Sequence, residues 1–321
     1  MPKIDFRNSP RVYFIIKLTK KILVAKYPRF IAAINLKIRA RNPKSINQKI
    51  LWKMAYDDRK YQTLFADKYK VREYVTAKIG SQYLTKIHHV GASGEQIPWN
   101  DLPKEFVIKC THSSGGSVII TSDAQKKVLP RALDSLNWGK YLIHPDNVER
   151  EKVQDFFDKL LQRNYADFPG FREVAYLGIS PKLIVEELLK DDKGKIPSDF
   201  KFWCINGRVE LIQVDVDRFL NHSRQLLDRN WDRIPVRLAY PLLKTELVAP
   251  SNLHEMIKLA ETLSNSVDFI RVDLYDLGKR IVFGELTNYP GGGLEKFKPA
   301  ELGLRLGSLL ELDLKNNSLN L

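Results

Sequence analysis

Hydrophobic and polar positions alternate most sharply between Phe269 and Thr287. In FIRVDLYDLGKRIVFGELT, Ile270, Val272 and Leu274 alternate with Arg271, Asp273 and Tyr275, the period of a strand with one apolar and one polar face. The pattern predicts strands over Phe269–Tyr275 and Arg280–Thr287, joined at Asp276-Leu277-Gly278-Lys279, where Gly278 supplies the turn. A loop with an odd number of residues would put Glu285 on the face that carries Arg271 and Asp273. A two-residue loop would put it on the opposite face, because strand side chains alternate.

The same reading predicts a run of further elements. Residues 11–26 are amphipathic at helical spacing, with Val12, Ile15, Ile16, Thr19, Ile22 and Leu23 on one face and Lys17, Lys20 and Lys21 on the other. Pro28 interrupts, and Phe30, Ile31, Ile34 and Ile38 suggest a second short amphipathic segment. From Asn42 the text is helical with polar punctuation as far as Gly80, a C-terminal stop, and Asp67 and Lys68 ride on that helix. Phe106–Ile108 reads as a short buried strand ending at Lys109, and Val118–Ile120 begins a returning strand. A helix follows over 150–165, then a strand at Leu183–Val185 running into Glu186-Glu187 as a hinge. Asp199–Ile205 and Arg208–Val216 form a hairpin about Asn206-Gly207, and Leu253–Ser264 and Pro299–Leu312 are predicted helices. There is no internal repeat and no low-complexity segment. Strands and helices in this mixture predict an α/β (α+β) chain.

Charge changes this picture at one end. Residues 1–50 hold thirteen Lys or Arg against one acid, Asp5, a net +12 that leaves +2 of the formal +14 for the remaining 271 residues. The basicity thus belongs to an N-terminal appendage and the body is near neutral. A basic amphipathic helix can lie on an anionic membrane surface, or pack on its own domain with its lysines solvated; both readings stay open. With only Cys110 and Cys204, in unrelated contexts, the simplest compartment is a reducing cytoplasm. The run Val12–Ile16 is too short for a secretory signal, and nothing approaches the ~20 apolar residues of a membrane span. The basic cluster lacks the aromatic interleaving of nucleic-acid grooves, so no nucleic-acid partner is expected.

Two carboxylates and an arginine converging on a sheet face call for a cation between them, and hard oxygen donors suit Mg²⁺; a solvated surface hairpin is the plainer alternative. Thr111–Ser117 is a hydroxyl-rich loop in which Ser113, Ser114, Gly115, Gly116 and Ser117 follow Lys109. Glycine lets backbone N–H groups approach an anion, and a lysine before the loop adds a point charge. It is not a P-loop, because a strand rather than a helix follows the glycines. No Ser-His-Asp or Cys-His arrangement suggests a covalent enzyme intermediate. His112 is as readily a loop histidine satisfied by backbone as a substrate contact, and Cys110 reads as a small buried residue.

Taken in order, NPKSINQKILW, ADKYKVREYV, LPKEFVIKCTHSSG, DFKFWCINGR, NWDRIP, FIRVDLY and FGELTNYPGGG resemble the TupA-like ATP-grasp family of bacterial cell-surface polymer biosynthesis. The resemblance runs from about Asn42 to Gly307 and leaves the first forty residues unmatched. It implies an ATP-grasp fold, with nucleotide held between two antiparallel-sheet lobes after an N-terminal helical extension. The implied division is 1–41 basic amphipathic helices, 42–105 a helical substrate region, 106–185 a small lobe with the phosphate flap, and 186–321 a large lobe with the metal site. By the same resemblance Lys68 and Lys109 hold the phosphates of ATP under the flap Ser113–Ser117, and Glu186 and Glu187 mark the adenine and ribose hinge. Lys201 reaches the γ-phosphate, Arg271 stabilises the transferring phosphoryl group, and Asp273 and Glu285 bind Mg²⁺. The sequence departs from the family at Ser113 or Ser114, where a glycine is usual. It departs again after Glu285, where the fold's asparagine ligand is replaced by Thr287, leaving Asn288 as the candidate third ligand.

The implied chemistry is ATP-dependent ligation of a carboxylate to an amine through an acyl phosphate, on a small-molecule or polymer-linked precursor, in the cytoplasm or peripherally on its membrane face. The alternatives are a glycosyltransferase of the same pathways, for which Asp215-Val216-Asp217 has the spacing of a DxD but follows a hairpin strand, and a non-catalytic basic adaptor.

Overall fold

The computed structural model describes residues 42–57, 61–124, 138–167, 173–216 and 222–312. The predicted amphipathic segments of residues 11–38 lie outside them.

Helix α1 (Ile46–Tyr56) starts where Ser45 and Gln48 form a capping box, and it buries Ile46, Ile50 and Met54 at one-turn spacing. The single helical run predicted as far as Gly80 is three helices, continuing with α2 (Tyr61–Ala66) and α3 (Val71–Ile79). The break before α3 has a local cause. Oδ1 of the buried Asp67 accepts the N–H groups of Tyr69 and Lys70 at 2.9 and 3.1 Å, folding the backbone into a turn. Lys68 therefore sits in that turn, not on a helix.

Five strands form the smaller sheet: β1 (Ile87–Gly91), β2 (Phe106–Cys110), β3 (Ser117–Ile120), β4 (Lys140–Ile143) and, after α4 (Arg150–Leu161), β5 (Leu183–Glu187). Their order is β1-β5-β2-β3-β4. All pairs are antiparallel except β3–β4, which is parallel and departs from the expected all-antiparallel lobe. The long connection between those strands allows the crossover that a parallel pair needs. Helix α4 packs Val153, Phe156, Phe157 and Leu160 against Ile108, Val118 and Val185. Because β1 and β2 pair with β5 through Glu186 and Glu187, those glutamates are the last two residues of the strand, which runs past the predicted Val185.

The larger sheet is built from β6 (Asp199–Ile205), β7 (Arg208–Val216), β8 (Ser223–Leu227) and β9 (Arg233–Ile234), then β11 (Phe269–Asp276) and β12 (Ile281–Thr287). Its order is β12-β11-β6-β7-β8-β9, and β10 (Arg237–Leu238) pairs separately with β13 (Phe297–Lys298). One face buries Phe202, Ile270, Val272 and Leu274 under α3 and α5 (Leu253–Ser264). On the other face, Trp203, Leu211 and Phe269 are covered by α1 and α6 (Glu301–Leu309). Further along the same strands this second face turns polar, at Asp199, Lys201, Arg271, Asp273 and Asp215, and it faces the smaller sheet across a cleft. Among the described residues no helix is long and apolar enough to cross a membrane.

The loop-parity question is decided by a bulge. Four residues, Leu277–Arg280, connect β11 and β12, and the ladder opens with Asp276 opposite Ile281 and Leu274 opposite Phe283. Continued unbroken, that register would set Glu285 against Val272, on the apolar face. The register shifts after Leu274, Gly284 is left over, and Asp273 pairs with Glu285. A Cβ at Gly284 would stand 3.0 Å from both the Asp273 carbonyl oxygen and the Tyr275 ring. Gly284→Val should therefore cost about 1–3 kcal/mol by overpacking. Urea unfolding of the variant checks the value; an unchanged midpoint would show that the bulge tolerates a side chain.

Candidate active site

Between the two sheets lies a cleft of about 1190 Å³. Its floor is a row across the larger sheet, in which Glu285, Asp273, Lys201 and Gln213 are direct neighbours on successive strands. Arg271 forks onto Asp273, with Nε to Oδ1 at 2.6 Å and an Nη to Oδ2 at 2.7 Å, and reaches Glu285 at 2.9 Å and the Thr287 hydroxyl at 3.0 Å. Lys201 donates to Asp273 at 2.8 Å and is ion-paired with Asp199. Farther along the floor, Arg224 holds Asp215 (Nε to Oδ1 2.6 Å) and Glu295 (3.0 Å) and lies 4.7 Å over the Tyr240 ring.

These side chains are nearly dry: Asp273 is 2% exposed, Lys201 4% and Arg271 9%. Burial pushes the Asp273 carboxyl up to about 6, although Arg271 and Lys201 pull the other way. Burial would raise Glu285 too, but Arg271, Lys201 and Lys68 together hold it below the usual carboxylate range. Asp273 and Glu285 fit a divalent cation brought in with phosphates. Mg²⁺ commonly takes one or two protein carboxylates and completes its shell with water and phosphate oxygens. Among the described residues no group of three or more His, Cys, Asp or Glu is gathered into a cage that would bind a metal alone.

The opposing cations come from the smaller sheet and from the turn before α3. Lys109 is ion-paired with Glu186, whose other oxygen accepts the Thr85 hydroxyl at 3.1 Å, and Arg72 holds Thr85 from α3. Lys68 donates to the Ser113 carbonyl, and burial lowers its ammonium group to about 8. Glu187 accepts the backbone N–H of Lys86 and the Arg280 guanidinium, both at 2.8 Å, which ties the two lobes together. Val107, Ile119, Leu142 and Phe283 give the cleft an apolar section beside this strand end.

The Gly/Ser loop departs from the expected cradle. The N–H groups of Gly116 and Ser117 both donate to the Gly139 carbonyl at 3.0 Å, so they are turned from the cleft. Ser113 is fully buried, its hydroxyl bonded to the Gly115 carbonyl at 2.7 Å. Gly115 is required by close approach, since a Cβ there would meet the Trp138 carbonyl oxygen at 2.0 Å. Ser114, Gly115 and Ser117 line the cleft. The candidate third metal ligand is not brought to the carboxylates. Asn288 is buried and donates to the Gln62 carbonyl at 2.9 Å, while the Thr287 hydroxyl donates to Glu285 at 2.9 Å. Strand alternation is the reason, since Thr287, two residues from Glu285, shares its face and Asn288 does not. His112 is buried with its Nε2 3.0 Å from the Arg163 carbonyl, and burial pushes the Cys110 thiol up to about 12. Neither is a nucleophile or a base of the cleft. Asp215 is committed to Arg224, and Asp217 lies outside the described residues.

Sequence reasoning missed Arg72, Thr85, Lys140, Asp199 and Arg224, all of which line the cleft. Asp199 carried a usable signal, being two residues from Lys201 on an alternating strand.

Burial opposes ionisation of Asp215, but the Arg224 fork outweighs it and holds the carboxyl down near 2. A depressed carboxylate pKa contributes stability that is present above the unfolded value and lost as pH falls through the folded one. Asp215→Asn should cost about 3 kcal/mol at neutral pH, because it breaks a buried ion pair and leaves the guanidinium only Glu295 as a carboxylate partner. The difference from wild type should narrow between pH 4 and pH 2, as followed by urea unfolding at each pH.

The sequence matches the family described as TupA-like ATPgrasp over residues 48–311. No curated protein matches it. Among solved structures, the fold is similar to D-alanine–D-alanine ligase from Bacillus anthracis, at 11% identity and a TM-score of 0.38, covering 70% of this chain and 57% of that one. It is also similar to the ATP-grasp ligase PsnB complexed with minimal precursor, at 9% identity and a TM-score of 0.40, covering 82% and 66%. A third is the macrocyclase MdnC bound with precursor peptide MdnA from Microcystis aeruginosa, at 10% and 0.35, covering 79% and 63%. The chain thus spans less than two thirds of each of these proteins.

Proposed function

This chain belongs to the TupA-like ATP-grasp family, and from that premise we propose that it is a Mg²⁺-dependent, ADP-forming ligase that joins a carboxylate to an amine. The observation that carries the reading is the floor row Glu285–Asp273–Lys201 with Arg271, set across a cleft from Lys109 and Lys68. Paired carboxylates facing convergent cations are the inventory that phosphoryl transfer needs, since positioning and charge neutralisation carry most of its catalysis.

In this reading Asp273 and Glu285 hold Mg²⁺, which supplies charge neutralisation to the triphosphate when bound, and Thr287 orients Glu285. Lys109 and Lys68 bind phosphate oxygens once released from Glu186 and from the Ser113 carbonyl. The adenine lies in the apolar section beside Glu187. A substrate carboxylate oxygen attacks the γ-phosphorus, the bond to the bridging oxygen breaks, and ADP leaves. The amine then displaces phosphate from the acyl phosphate, giving the amide and releasing its proton. Lys201 and Arg271 offset the negative charge gathered on the transferring group. The substrates we favour are precursors of a cell-surface polysaccharide or peptide polymer.

Screening amino acids and uronic acids for Mg²⁺-dependent ADP release by the full chain tests the function. Asp273→Ala and Glu285→Ala should each abolish that release; turnover persisting in either variant would remove the metal assignment. Lys109→Ala should weaken ATP binding by about 1.5–3 kcal/mol, measured by calorimetry.

The net +12 of residues 1–50 supports peripheral attachment to an anionic membrane. Each basic residue near such a surface contributes about 1 kcal/mol, within a Debye length of ~8 Å. Full-length protein should sediment with anionic liposomes at low salt and a form lacking residues 1–40 should not. Full-length protein ignoring the liposomes would place the segment against the body instead.

A further inference from the structure

A second, smaller pocket of about 270 Å³ opens beside the phosphate end of the cleft and shares Lys68, Ser114, Arg271 and Glu285 with it. Its far wall is Tyr165, Glu173 and Tyr176, which the site described above does not use. The two phenol rings meet edge-on at 4.9 Å, and Ser114, carried by the Gly/Ser loop, lines the pocket with them. Phe65, Ala66, Val71, Ala175 and Leu286 add apolar surface to the wall, beside Thr287 and Asn288. Among the described residues, Lys53, Lys109, Lys201, Arg224 and Arg271 each have a carboxylate partner. No cation is within ion-pair distance of the Glu173 carboxylate in the same set.

We propose that this pocket is the subsite for the amino group of the second substrate, with the Glu173 carboxylate as the counter-charge of its ammonium form. The inference deepens the ligase reading and rests on it. Three features favour a cation over an anion or an apolar group. The carboxylate is partly withdrawn from solvent in the pocket wall, where an opposite charge is attracted more strongly than in bulk water. Two tyrosine rings flank it and offer π faces to an ammonium ion. The pocket's inner edge is the side of the cleft where Arg271 and Glu285 stand, so an amine held there lies beside the phosphoryl group to be displaced. The titration behaviour agrees: burial, and then the negative charge of Glu285, push the Glu173 carboxyl up to about 8. A bound ammonium would pull it back down by direct attraction. A volume of 270 Å³ suits an amino group with a small substituent, so the rest of a larger amine would extend into the cleft.

The probes are glycinamide, which carries an ammonium group at neutral pH, and acetamide, a neutral molecule that lacks it. Both are titrated by calorimetry into the full chain with Mg²⁺ and the non-hydrolysable ATP analogue AMP-PNP. Glycinamide should bind saturably and acetamide at least about tenfold more weakly, as expected for loss of a charge-assisted bond. Glu173→Gln should weaken glycinamide by about tenfold while AMP-PNP binds as in wild type. Equal affinities for the two probes, or glycinamide affinity unchanged in Glu173→Gln, would overturn the subsite. Should that variant fail to fold, the comparison of the two probes on wild-type protein decides alone. If AMP-PNP itself does not bind, the ligase reading falls and takes this inference with it. If AMP-PNP binds and the protein shows no preference for the cation, only the subsite falls.

Discussion

Arg271 forks onto Asp273 in the middle of a sheet, and the geometry of the site follows from keeping that pair dry and satisfied. Moving two charges out of water costs several kcal/mol each unless geometry and further hydrogen bonds offset it. Here the remaining capacity of each partner is taken up by neighbours in the same row: Lys201 on Asp273, and Glu285 and Thr287 on Arg271. Each of those positions is in turn a register position. A slip of one residue in β12 or β6 would send its member to the apolar face and leave a buried charge uncompensated. The bulge at Gly284 is therefore part of the electrostatics of the site as well as of the sheet.

The same sheet face does two jobs because its composition changes along the strands. Where Trp203, Leu211 and Phe269 stand, α1 and α6 cover it; where Lys201, Asp273 and Asp215 stand, no helix does among the described residues. Covering the polar half with an apolar helix would strand its charges. What faces it instead are cations already held by other groups, Lys109 of the smaller sheet by Glu186 and Lys68 of the turn before α3 by a carbonyl. Both cations are thus paired with groups that a phosphate could replace. The relay Arg72–Thr85–Glu186–Lys109 links a helix of the larger lobe to a cleft-lining cation of the smaller one. The latch between Arg280 and Glu187 fixes the lobes near the apolar section.

On its own, the sequence settled what depends on neighbours along the chain. Alternation placed Arg271 and Asp273 on one face, and Asn206-Gly207 marked the hairpin of β6 and β7. One-turn spacing found α5 at Leu253–Ser264, and the order of short motifs carried the family. These signals are short-range, and backbone periodicity reads them directly. Where the sequence left a choice, it lacked the partner. Loop parity could not place Glu285, because a four-residue loop gives the wrong face and only packing against Asp273 and Tyr275 pins the bulge at Gly284. Asn288, one position past the slot that Thr287 fills, is held by the Gln62 carbonyl, 226 positions away. The two glycine-loop N–H groups were spent on Gly139, and Lys68 was drawn off a helix by its neighbour Asp67. Glu173 gave no signal, because its meaning comes from Tyr165, Tyr176 and Glu285 converging on one recess. Local pattern fixes which way a side chain points, but only tertiary structure decides what it meets, and buried charge is governed by what it meets.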